Sequence, residues 1–141
     1  MQTWIIYAIL SMIFAGITSI LAKYGLQNVN ADLGLGIRTA TIFFIITAIN
    51  LFGSKYKAVA ALTTKETLLL IASGIATTLS WLFYYRAMKD GLVSYVAAID
   101  KCSIVITLLL SFILLKEPIT PKILLGGGLI FAGTIVLIWK W

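Results

Sequence analysis

Residues Leu92 to Leu115 read LVSYVAAIDKCSIVITLLLSFILL. The stretch is about 24 residues long and apolar almost throughout, yet Asp100 and Lys101 stand near its middle. A run of this length crosses the roughly 30 Å hydrocarbon layer of a bilayer as one helix. A charge at the centre of such a helix costs about 2.5–3.5 kcal/mol on insertion scales, so a carboxylate and an ammonium placed there need a purpose. Asp100, Ser103, Thr107 and Ser111 recur at helical intervals and form one polar stripe about 80° wide. Lys101 is turned away from Asp100 by about 100°. Helical geometry therefore predicts that each charge reaches a group on another helix or another subunit. The competing reading is an internal ion pair that only orders the bundle.

Composition places the stretch in a membrane protein. The chain has 141 residues, 61% of them hydrophobic, and a mean hydropathy of +1.06. Soluble domains use roughly 45–50% apolar residues. The net charge is +6, but the eleven basic residues are scattered, with no Lys/Arg run to track a phosphate backbone. Nucleic acid is not an expected partner. With no His and a single Cys102, no disulfide framework, no metal site and no cofactor is expected, and an enzyme has few groups for general acid–base chemistry. The opening Met1-Gln2-Thr3 lacks a basic region and the apolar run from Trp4 is too long for a signal peptide, so it reads as the first span.

Working outward, five apolar segments are expected as helices: Trp4–Ala22, Leu33–Phe52, Thr67–Arg86, Leu92–Leu115 and Ile123–Trp139. The fold class is an all-α integral membrane protein, with residues 1–141 as a single transmembrane domain. Continuous apolar runs exclude a barrel, whose strands alternate. Thr63 with Glu66 has the capping-box spacing, Thr120-Pro121 is an N-cap followed by proline, and Asn30 or Asp32 can cap the second span. Gly25, Gly53 and Gly91 are expected to close the first three helices in the left-handed conformation. Small-residue faces, Ala8, Ser11, Ala15, Ser19 and Ala22 in the first span and Gly126, Gly127, Gly128, Ala132 and Gly133 in the fifth, are read as helix-packing surfaces.

The third span carries a mixed face. Gly74, Thr77, Thr78, Trp81, Tyr84, Tyr85 and Met88 share a sector of roughly 120°. Such a face can line a cavity that stacks an organic solute. The alternative puts Tyr84, Tyr85 and Arg86 in an interfacial belt; Trp4, Trp139 and Trp141, at the chain ends, are expected as belt residues on either reading. Arg38, about five residues into the second span, either snorkels to the interface or lines a pore mouth.

The charges give no preferred orientation. Alternating spans put Lys55, Lys57, Lys65, Lys116 and Lys122 on one side and Lys23, Arg38, Arg86, Lys89 and Lys140 on the other. Orientation follows the Lys/Arg difference between sides, and here it vanishes. The chain is therefore expected to insert both ways up. Two such copies of an odd-helix chain pair about a two-fold axis in the membrane plane, the symmetry many transporters build from inverted repeats. The expected assembly is an antiparallel homodimer of five plus five helices.

These segments resemble one EamA-type unit of the drug/metabolite transporter superfamily. The likeness runs through FAGITSILAKYGL, LGLGIRTATIF, WLFYYRAMKDG, VSYVAAIDKCSIVITLLLSFILLKEPIT and GGGLIFAGTIVLIW, in that order over nearly the whole chain. Most members carry two such units in opposite orientation. A single unit is similar to the small five-helix branch, expected to pair like the four-helix small multidrug resistance proteins. The resemblance implies export or exchange of small metabolites or amphipathic organic molecules by alternating access, in the cell (cytoplasmic) membrane. It implies a cavity between the helices matching the first, third and fourth spans. The small multidrug resistance proteins couple to protons through a first-helix carboxylate. This first span has none, which leaves Asp100 as the embedded candidate. Beside it, Lys101 makes the pair formally neutral.

The leading expectation is a small-solute transporter in the lipid bilayer. Its solute- or proton-binding residues are Asp100, Lys101, Trp81, Tyr84, Tyr85, Ser103, Thr107 and Arg38. Two alternatives stand beside it: a subunit of a lipid-linked substrate flippase, and a non-transporting accessory or assembly protein whose charges serve only as pairs.

Overall fold

The computed structural model describes residues 2–53 and 55–139, apart from the side chain of Lys57. Trp141 of the aromatic belt and Lys140 of the charge tally lie outside the described residues. The regular structure among the described residues is all helical. Five helical stretches are long and apolar enough to cross a bilayer: Thr3–Gly25, Ala31–Phe52, Thr64–Asp90, Val93–Leu115 and Pro121–Ile138. Lipid offers no partner for backbone polar groups, so each apolar run closes its own hydrogen bonds as a helix. The chain is an all-α, multi-pass membrane protein.

Two compact units make up the chain, Met1–Asp90 and Gly91–Trp141. The first holds α1 (Thr3–Gly25), α2 (Ala31–Phe52), a 3-10 segment at Lys55–Ala61 and α3 (Thr64–Asp90). Here α3 packs on both α1 and α2. The second unit holds α4 (Val93–Lys101), α5 (Ser103–Leu110), a π-helical turn at Ser111–Leu115 and α6 (Pro121–Ile138). In it α6 packs on α4 and α5.

Helix starts follow local chemistry. The Asn30 side chain accepts from the N–H groups of Asp32 (2.9 Å) and Leu33 (3.3 Å), so Asn30 rather than Asp32 caps α2. Before α3, the Thr63 N–H donates to Glu66 at 2.9 Å while the Glu66 N–H donates to the Thr63 hydroxyl at 3.3 Å. Thr120 accepts from the Ile123 N–H at 3.3 Å, with Pro121 at the first position of α6. Thr63→Ala removes one half of a reciprocal cap. It is expected to cost about 1 kcal/mol, measured as a lower thermal midpoint of the protein in detergent, with Glu66→Gln milder.

Helix ends depart from the expectation. No described glycine has positive φ, and Gly53 sits at φ −78°. The reason is that other donors reach the terminal carbonyls. Lys23 on α1 donates to the carbonyls of Met88 (2.8 Å) and Lys89 (3.1 Å) at the end of α3. Lys89 in turn donates to the carbonyls of Leu26 and, at 2.9 Å, Gln27, just beyond α1. Each helix thus ends on the other's ammonium, which also suits the negative pole of its dipole. Among the described residues the one left-handed residue is Lys116, at φ 54°, which closes the π turn.

The fourth span is not one continuous helix. At Cys102 the ladder tightens to i−3 bonds: the Cys102 N–H donates to Ile99 at 3.0 Å, and the Cys102 carbonyl accepts from Val105 at 3.0 Å. The tightening falls directly after Asp100 and Lys101.

Side-chain burial is uneven. Leu26, Leu35, Tyr85 and Met88 are buried together near the charged end of the first unit, with Met88 fully enclosed. Gly34 makes room there, since a Cβ on it would lie 2.6 Å from a Leu26 methyl. By contrast, every residue of α3 from 64 to 80 is exposed. The fifth-span glycines split as well. Gly127 is buried against Leu108, while Gly126, Gly128 and Gly133 face open space, so only one of them packs within the chain.

Candidate functional site

In the first unit a cavity of about 350 Å³ opens between α1 and α2, with Tyr85 of α3 at its wall. Its lining is apolar apart from Thr18, Arg38 and the phenol of Tyr85, and includes Leu21, Leu26, Val29 and Ile37. Ala22, Gly25 and Gly34 supply the space by having little side chain.

Arg38 turns toward α3. Its guanidinium carbon lies 4.2 Å from the centre of the Trp81 ring and 5.5 Å from that of Tyr85. Trp81 and Tyr85 are four residues apart on α3, so their rings stand on one face and together receive the cation. Tyr84 also turns inward, its hydroxyl 2.9 Å from the Ser19 hydroxyl of α1. The mixed face of the third span therefore splits. Trp81, Tyr84, Tyr85 and Met88 meet α1 and α2, so the two tyrosines face neighbouring helices. Thr77 and Thr78 remain exposed and return their hydroxyls to the carbonyls of Ser73 and Gly74, both at 2.9 Å.

One interaction was not anticipated from the residues. Arg86 grips Asp32 with two parallel hydrogen bonds, Nε at 2.9 Å and one terminal nitrogen at 2.8 Å. Asp32 reads in sequence as a cap and Arg86 as a belt residue. The available signal was topological: the start of the second span and the end of the third lie at the same membrane face, so an acid at one and an arginine at the other can meet. The forked guanidinium suits this bidentate geometry, which a lysine could not make.

In the second unit Asp100 and Lys101 find each other. Lys101 Nζ lies 3.5 Å from Asp100 Oδ2. Their Cβ atoms leave the helix on separate faces, as the helical angle requires. The flexible four-carbon lysine stem swings through the angle. The pair is still open to its surroundings, with side-chain exposures of 66% for Lys101 and 38% for Asp100. Along the polar stripe Ser103 and Thr107 are exposed, with the Thr107 hydroxyl donating to the Ser103 carbonyl at 3.0 Å, and Ser111 is buried on the Leu108 carbonyl. A smaller cleft of about 220 Å³ lies between Leu108, Phe112, Gly127 and Phe131 and is wholly apolar. Asp100 and Lys101 line neither cavity.

Comparison with known proteins agrees with this architecture. The sequence profile of the EamA-like transporter family matches residues 2–139. A protein of a Sinorhizobium species, described as an uncharacterized transporter in the cobO 3′ region, is 36% identical over 136 residues, covering 96% of each chain. No solved structure matches significantly.

Proposed function

The chain belongs to the EamA-like transporter family, and from that premise we propose that it carries small metabolites or amphipathic organic molecules by alternating access. In this reading it works as an exporter or exchanger in the cytoplasmic membrane, as two copies inserted in opposite orientations. The observation that carries the proposal is the Asp100–Lys101 pair. It sits in the middle of the fourth span, on a tightened turn, with both side chains still open after the chain has folded. Hydrocarbon is a poor neighbour for such a pair, whereas a water-filled cavity or a second protomer is a good one. Discontinuous helices in transporters mark solute and ion sites for the same reason: irregular backbone is tolerated where it lines a cavity.

The exposed half of α3 supports the dimer. Ser73, Gly74, Thr77 and Thr78 give a small and hydroxylated surface that suits close helix contact better than lipid. In the proposed site Asp100 is the proton- or solute-linked group and Lys101 its counter-charge. Ser103 and Thr107 of the same unit offer hydroxyls, and within the first unit Trp81, Tyr84, Tyr85 and Arg38 form an aromatic and cationic group of their own.

The test is topological. A C-terminal fusion to a fluorescent protein that matures in the cytoplasm and a second to a phosphatase active only outside it should both be active. Activity from one fusion alone would remove the antiparallel dimer and with it this form of alternating access.

A further inference from the structure

The cavity at Arg38 is built for a particular kind of ligand. We propose that it binds a single-chain amphiphilic organic anion, with the acidic group on the Arg38 guanidinium and the apolar part against Leu21, Leu26, Val29 and Ile37. The inference deepens the transport reading and rests on it for its physiological sense, naming an acid as the class of solute.

Three observations converge on it. The first is an unmet cation. Arg38 is half-buried on a membrane-spanning helix and makes ion pairs with no carboxylate among the described residues. Its contacts are two ring faces, at 4.2 and 5.5 Å, which take up positive charge but offer no lone pair to its five N–H donors. The carboxylate nearest along α2, Asp32, is held by both arms of Arg86. Glu66, at the other end of α3, is engaged with Thr63. The site therefore has a positioned guanidinium whose natural complement, a carboxylate or phosphate, is supplied by nothing nearby.

The second observation is the wall. Apart from Thr18, Arg38 and the Tyr85 hydroxyl, the lining offers only carbon surface, which asks for an apolar body attached to the acid. The third is size. At about 350 Å³ the cavity stands at the lower end of the range for small-molecule sites and has no room for a two-chain phospholipid. Arg38 lies six residues beyond Asp32, about 9 Å farther along the helix from the charged end of the unit.

The test uses the full chain in nanodiscs of neutral phosphatidylcholine, with Trp4, Trp139 and Trp141 changed to Phe so that Trp81 alone reports. Decanoate and decyl phosphate should shift Trp81 emission saturably, because an anion drawn to Arg38 alters the charge over that ring. Decanol and decyltrimethylammonium should not. Arg38→Gln should weaken decanoate binding at least tenfold, Arg38→Lys less, and Ala22→Leu should spare hexanoate while excluding decanoate. Equal responses to decanol and decanoate, or an Arg38→Gln variant that binds as well as the parent, would overturn the proposal. If Arg38→Gln does not fold, the decanol comparison and the Ala22→Leu chain-length preference decide in its place. Replacing part of the phosphatidylcholine with phosphatidylglycerol separates the sources. A shift caused by that lipid alone, competing with decanoate, would make the occupant a bilayer lipid and defeat the single-chain assignment. Binding and flux are read independently. Decanoate bound with no solute carried into proteoliposomes leaves this site standing and sinks the transport reading, and flux of other solutes without decanoate binding does the reverse.

Discussion

Asp100→Asn is expected to reduce transport at least 100-fold while leaving insertion and pairing of the chain intact. The size of the effect follows from what the carboxylate offsets. Lys101 Nζ lies 3.5 Å from Asp100 Oδ2, and no other acid among the described residues pairs with it. An unpaired charge at mid-membrane costs about 2.5–3.5 kcal/mol, and each 1.4 kcal/mol is a factor of ten. Lys101 in the variant must either lose its proton or draw water and counter-ions around itself, and in both cases the proposed site no longer alternates between two balanced states. The measurement is flux into proteoliposomes of whichever compound most raises the thermal midpoint in a screen of amines, amino acids and organic acids, since a ligand stabilises the state it binds. The double variant Asp100→Asn with Lys101→Met separates roles. It restores neutrality, so a purely structural pair predicts recovery, whereas a solute- or proton-handling carboxylate predicts none. Recovery in the double variant would remove Asp100 from the mechanism.

Much of the fold was legible because it is set by local or bulk physics. A bilayer requires about 20 apolar residues per helix, and five such runs are visible without knowing how they pack. The capping box at Thr63 and Glu66 and the cap at Thr120 span three residues each, so spacing alone reveals them. The glycine closures failed for the opposite reason. Lys23 and Lys89 reach carbonyls more than 60 positions away in sequence, and no local pattern announces that a distant ammonium will end a helix.

The candidate site divides along the same line. That Trp81, Tyr84 and Tyr85 share a face with Met88 follows from helical periodicity. That Arg38 crosses to Trp81 and Tyr85, and Asp32 to Arg86, depends on the rotation and register of α2 against α3, which one sequence does not encode visibly. Asp100 and Lys101 show a different limit. Their angular separation along an ideal helix is sound, but it concerns Cβ directions, and a lysine ammonium lies far from its Cβ. The tightened turn at Cys102 is a second departure from the ideal helix, directly after the pair.

The remaining large effect concerns orientation, where the near-balance of charges is a lever. On the inverted-dimer proposal, two added lysines on one side convert dual insertion into a single orientation, because the Lys/Arg difference decides orientation and here is at most one, with Arg38 left out as intramembrane. Ala58→Lys with Ala61→Lys loads the segment between α2 and α3, where both positions are exposed. Gln27→Lys with Asn28→Lys loads the opposite side, also at exposed positions. Neither pair touches Arg38, Asp100 or the lysine–carbonyl closure, which uses the backbone of residue 27 rather than its side chain. Each locked variant alone is expected to be made at normal levels, to activate only one of the two topology reporters, and to lose more than nine-tenths of transport, since parallel copies cannot form the two-fold site. Expressed together, the two should restore transport to at least half of the parent's. Placing Asp100→Asn in only one of the two locked chains then asks whether both carboxylates are needed. A shared central cavity predicts a loss whichever chain carries the change. Full activity from either locked variant on its own would show that one orientation suffices, and the inverted dimer would have to be abandoned.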